Sequence, residues 1–148
     1  MFPTLDSLPK DYAVSPEDRK GLRNLERILY DLVNSIEFED LVIANGWNSE
    51  WGHCAVASEA MQILAWKLLG VYLVTMNVKD GEVSHWFLKE PNSDIIYDPT
   101  SYQFGTSDLH DLYNRAVARG LQSRTREEPY TRRESVETLV EIIGESLS

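Results

Sequence analysis

The sequence predicts a single α+β domain in which a central buried helix packs on a small antiparallel sheet with helices flanking it. Three observations carry that expectation. Residues 54–70 are almost uniformly small or apolar and contain no proline, which suits a helix covered on most sides. Residues 71–98 switch to β-branched and aromatic segments separated by Asp80-Gly81 and by Pro91, Asn92 and Ser93, the signature of consecutive strands joined by short turns. A chain of 148 residues, 43% apolar, with no repeat and no compositional break, can bury one core without disulfide staples.

Residues 1–14 read as an extended arm, because Pro3 and Pro9 interrupt a stretch without periodicity. The first helix has a clear start: Ser15 can cap it, Pro16 fits the first turn, and Glu17 and Asp18 complement its dipole. Leu22, Leu25, Ile28, Leu29, Leu32, Val33 and Ile36 then recur at helical spacing. Residues 37–52 read as helix end and loop, with a turn at Asn45-Gly46. The central helix follows and stops at Gly70. Strands are expected at about 71–78, 82–89 and 94–98, the last limited by Pro99. A further helix capped by Thr106 or Ser107 should run to Gly120, followed by a polar link over 123–133. The last helix is expected at 134–147 as a peripheral element, with Val136, Leu139, Val140, Ile143 and Leu147 on one face. The whole of 1–148 is thus read as one domain.

Charge excludes several function classes. The 14 basic and 24 acidic side chains leave a net charge of −10, which repels phosphate backbones and anionic lipid surfaces, so neither a nucleic-acid nor a membrane partner is expected. Arg119, Arg124, Arg126, Arg132 and Arg133 form a local basic run, but Glu127 and Glu128 interrupt it and a solvated link is the simpler reading. The opening MFPTLDSLPK has neither a basic start nor an apolar stretch, and a cytoplasmic, reducing setting is expected. The single cysteine allows no internal disulfide and no multi-cysteine metal cage, so no metal and no cofactor is expected.

That cysteine, Cys54, stands where a polar, aromatic loop meets the central helix. A helix N-terminus stabilises a thiolate and places backbone donors beside it, where an oxyanion would form during acyl transfer. Gly52 leaves room for a substrate to approach. His85 falls in the second strand, where it can take the thiol proton and return it to a leaving group, and Phe87 on the same strand face can shield it. Asp98 ends the next strand, placed to orient the imidazole. Each residue also has a plainer reading: a small buried thiol, a packed histidine, an aspartate starting a turn before Pro99. His53, adjacent to Cys54, points elsewhere on a helical turn, and His110 reads as a surface residue.

The segments WGHCAVASEAMQILAWKLLG, EVSHWFLK and DIIYDPTSYQF, in that order, resemble the transglutaminase-like and papain-like thiol enzymes over residues 47–104. The order Cys, His, Asp, with the aspartate ending a strand, is more similar to the transglutaminase-like branch. The resemblance implies acyl transfer on an amide, isopeptide or ester bond of a peptide or protein substrate through a Cys54 thioester, by hydrolysis or transamidation, with Cys54, His85 and Asp98 catalytic. It offers Asn48, six residues before the cysteine where papain-like members usually carry Gln, as an oxyanion donor, and Gln103 as a second. Trp47, Trp51, Gly52 and Trp86 become candidate walls of the substrate cleft. The competing reading is a non-catalytic acidic protein-binding module that keeps the fold and uses its amphipathic terminal helices as interfaces.

Overall fold

The structure, a computed structural model, describes residues 5–45, 53–80, 83–100, 106–118 and 130–147. A short 3-10 turn at Leu5–Ser7 precedes helix α1, Pro16–Val33. Ser15 caps α1 by accepting the Asp18 amide at 3.1 Å. Leu22, Leu25, Leu29 and Val33 are buried along one face, with Ile28 and Leu32 partly covered beside them. Ile36 departs from that stripe. It is 73% exposed, because α1 has ended and a second helix, α2, Ile36–Asn45, has begun.

Helix α2 corrects the expectation of a loop after residue 37. Ser35 starts it: its hydroxyl accepts the Phe38 amide at 3.2 Å and donates back to the Leu32 carbonyl. Phe38 and Val42, four residues apart, fasten α2 to the core. The Asn45-Gly46 turn lies partly outside the described residues, since α2 ends on Asn45.

Helix α3, His53–Leu64, carries the buried apolar run and continues through a π-helical turn at Ala65–Leu69. Gly70 ends it in the left-handed region, at φ 67°, where a side chain would be strained. The strands are β1, Val74–Asp80, β2, Val83–Lys89, and β3, Ile96–Tyr97. The first begins three residues later than expected and the third is only two residues long. Helix α4, Thr106–Arg115, is shorter than the sequence suggested, because a fourth strand, β4, Val117–Ala118, takes over before Gly120. The antiparallel sheet has the order β3-β2-β1-β4, and β4 closes on β1 through Met76 opposite Ala118 and Asn77 opposite Val117.

Helix α5, Tyr130–Leu147, begins before the expected position and is a core element, not a peripheral one. Val136, Leu139 and Ile143 are fully buried in the same cluster as α1 and α3. That cluster, with Leu73, Leu88 and Tyr97 from the strand region, fills one side of the sheet. A smaller cluster of Val74, Met76, Val78, Phe87 and Leu112, joined by Tyr113, fills the side under α4. The sheet is therefore covered on both faces, and β2 presents His85 and Phe87 on the α4 side and Leu88 on the other.

The arm before α1 is anchored. Val14 is buried, the Tyr12 hydroxyl accepts the Tyr72 amide at 2.9 Å, and Asn92 donates its side-chain amide to the Lys10 and Tyr12 carbonyls. Across the other end of β2, Arg19 of α1 forks onto the fully buried Glu90 carboxylate at 3.0 Å, and the Tyr97 hydroxyl donates to the same carboxylate at 2.6 Å. Among the described residues, no helix is long and apolar enough to cross a membrane.

Candidate active site

Cys54 is the second residue of α3, so it stands in the turn whose leading N–H groups have no carbonyl partner within the helix. The residue is 3% exposed. Packing of α3 against β2 brings it to the strand that holds His85, and Ser58, one turn further along α3, donates its hydroxyl to the Trp86 carbonyl at 3.1 Å. This bond ties the helix to the strand beside the histidine.

His85 lies opposite Val78 of β1 and is 1% exposed. Its backbone carbonyl accepts the buried Asn77 side-chain amide at 3.1 Å. Its ring stacks at 6.0 Å on Phe87, which in turn meets the Tyr113 ring at 4.7 Å. Ring translation and rotation are thus limited on one side by aromatic packing.

The ring is held between an acid and a thiol. Nε2 and Asp98 Oδ2 are 2.6 Å apart, and since a carboxylate only accepts, the imidazole Nε2–H is the donor. With Nε2 committed to Asp98, the buried Nδ1 is the nitrogen that can serve Cys54. Burial works against a proton on the ring, but the hydrogen bond and charge of Asp98 and those of Cys54 outweigh it, and the His85 pKa is raised to about 9. Such an imidazole is built to hold its proton against the Asp98 carboxylate.

Asp98 is itself fixed from three sides. Its Oδ1 accepts the Thr100 amide at 3.1 Å, a turn in which an aspartate bonds the backbone two residues on. Its Oδ2 also accepts the Tyr113 hydroxyl at 2.8 Å. Its backbone N–H donates to Glu26 Oε2 of α1 at 2.6 Å. Glu26 is braced by Arg23, which also donates to the Ile96 carbonyl at 2.8 Å and lies over the Tyr97 ring at 4.3 Å. Burial, followed by the Asp98 charge and hydrogen bond and the Glu26 charge, drives the Tyr113 phenol upward, so it remains a neutral donor.

The three residues singled out as catalytic from sequence therefore converge: Asp98 on His85 directly, and Cys54 on the same ring. Phe87 shields the histidine as expected. Trp86 is half-buried and meets α3 through its carbonyl. Trp47, Asn48, Trp51, Gly52 and Gln103 lie outside the described residues. Four contributors were not singled out beforehand: Thr100, Tyr113, Glu26 and Asn77. The Asp98-Pro99-Thr100 turn was open to reading as an aspartate capping a residue two positions on. The other three depend on how distant elements pack and leave no local signal. Among the described residues, no group of three or more His, Cys, Asp or Glu side chains is arranged to hold a metal ion. No protein-family model, curated protein or solved structure matches this chain.

Proposed function

We propose that this protein is a thiol-dependent acyl-transfer enzyme of transglutaminase-like or papain-like type, acting on an amide, isopeptide or ester bond of a peptide or protein in a reducing compartment. One observation supports this reading above the rest: a fully buried imidazole bonded to a carboxylate at 2.6 Å on one nitrogen and acted on by the chain's single thiol.

In the first half-reaction the Cys54 sulfur attacks the carbonyl carbon while its proton rests on His85. The carbonyl π pair moves to oxygen, and backbone N–H groups at the N-terminal turn of α3 are the proposed donors to that oxyanion. Collapse re-forms the carbonyl, breaks the bond to the leaving amine or alkoxide, and delivers the His85 proton to it. A thioester on Cys54 remains. In the second half-reaction His85 takes a proton from water or an acceptor amine as that nucleophile attacks, and the proton returns to sulfur as the thioester breaks. Asp98 holds the ring in one orientation throughout. No net charge is created, and nothing beyond substrate and acceptor is consumed.

The test uses the only cysteine in the chain. In the folded protein, iodoacetamide should alkylate Cys54 at pH 7, and His85→Ala should slow this about tenfold or more by removing the partner that supports the thiolate. p-Nitrophenyl acetate should give a burst of nitrophenolate and an acetyl adduct at Cys54 detectable by mass spectrometry. Alkylation at the rate of an ordinary thiol, unchanged by His85→Ala, with no acetyl adduct, would sink the proposal. So would a Cys54 that no small reagent reaches without unfolding, since its 3% exposure makes access a requirement of the mechanism.

A further inference from the structure

We propose that Tyr113 is a positioning residue for the site: by donating its hydroxyl to Asp98 Oδ2 at 2.8 Å, it fixes the carboxylate that holds His85 and limits how strongly that carboxylate draws a proton onto the ring. The inference rests on the reading of Cys54, His85 and Asp98 as one site.

The geometry singles out one oxygen. Oδ2 receives both His85 Nε2–H, at 2.6 Å, and Tyr113 O–H, at 2.8 Å, while Oδ1 turns to the Thr100 amide. Two donors on one oxygen compete for its electron density. A hydroxyl hydrogen bond stabilises the charged carboxylate and makes it a weaker acceptor for its other donor. Tyr113 is also seated to do this without searching. Its ring packs at 4.7 Å on Phe87, the same ring that stacks on His85, so the phenol and the imidazole share one aromatic wall. Leu112 beside it is buried and anchors α4 to the sheet.

The groups that face this pair come from every neighbouring element. From α3 comes Cys54; from the end of β3 comes Asp98; from α1 comes Glu26, on the Asp98 backbone; from α4 comes Tyr113. On β1, the His85 partner is Val78, with the neutral amide of Asn77 on one side and exposed Lys79 on the other. Tyr113 is the only neutral hydroxyl that shares the histidine's acceptor oxygen among these described groups.

The experiment follows the His85 ring by long-range proton–nitrogen NMR, assigned with His53→Gln and His110→Gln. In Tyr113→Phe the His85 midpoint should rise by about 0.5–1 pH unit, because Asp98 loses a competing donor. Tyr97→Phe is the control: it deletes a buried hydroxyl bonded at 2.6 Å to Glu90, and should lower stability while leaving His85 in place. If Tyr113→Phe does not fold, uniform 3-fluorotyrosine incorporation into the wild type and into Tyr97→Phe replaces it. A more acidic phenol donates more strongly, and His85 should then titrate lower in both. A His85 midpoint that stays fixed under both perturbations, or that moves equally in Tyr97→Phe, overturns the assignment. The readout needs no acyl chemistry, so it separates from the alkylation test: a Cys54 indifferent to His85→Ala ends the enzyme reading, whereas a motionless His85 ends only the role of Tyr113.

Discussion

A buried histidine beside a carboxylate is usually weighed as a catalytic group, but it is first a proton store coupled to folding. His85 titrates near 6.5 when unfolded and at about 9 when folded. Between those values the native state holds more protons than the unfolded chain, so stability falls as pH rises. The contribution is complete below about pH 6.5 and is gone above about pH 9, with a limiting slope of about 1.4 kcal/mol per pH unit for one proton. Denaturant unfolding of the wild type and of His85→Gln should therefore converge as pH is raised across that window. A stability difference independent of pH would show that the ring is held neutral. Cys54, His85 and Asp98 were legible from sequence because each sits at a point the backbone pattern fixes: a helix start, a strand interior and a strand end. Tyr113 was not, since nothing local to α4 shows that one of its rings leans on a carboxylate fifteen residues earlier.

Among the elements, α2 shows how a serine can split what looks like one helix end into two helices. Ser35 bonds backward to Leu32 and forward to Phe38, closing α1 and opening α2 within three residues. Ser35→Ala removes a cap whose loss costs about 1 kcal/mol, and the urea midpoint should fall with the slope of the transition unchanged. A change in slope instead would mean that α2 had come away from the core. This helix was hard to read because it buries only Phe38 and Val42 fully and turns Ile36 and Ile43 outward, so its apolar residues do not form one stripe. The two-residue β4 was hidden for a different reason. Val117 and Ala118 are both exposed and continue the composition of α4, and only the open edge of β1 converts them to a strand. By contrast, α1, α3 and the β1–β2 pair were legible, because a capping Ser15, a helix-ending Gly70 and an Asp80-Gly81 pair each mark a boundary locally.

At the scale of the molecule, the feature with most bearing on function is that the helix bearing Cys54 is shared between two partners. On one side α3 meets β2 and so His85; on another it meets α5, whose Val136, Leu139 and Ile143 lie in the main core. The sequence alone suggests a peripheral place for α5, because an amphipathic terminal helix has the same pattern whether it covers its own core or a partner. Because α5 is internal to the core, the site should have no stability of its own. Leu139 is fully buried, and Leu139→Ala should cost about 2–5 kcal/mol through lost burial and the cavity left behind. The same variant should loosen the site together with everything else. The His85 ring signal in long-range proton–nitrogen NMR, followed across a urea series, should disappear in step with the loss of helical circular dichroism and shift to lower urea by the same amount as the midpoint. If α5 were an appendage, the two curves would separate: helicity would fall first while the His85–Asp98 bond stayed native. Coincident curves in both proteins are the outcome required by one core whose packing places the sulfur against the imidazole.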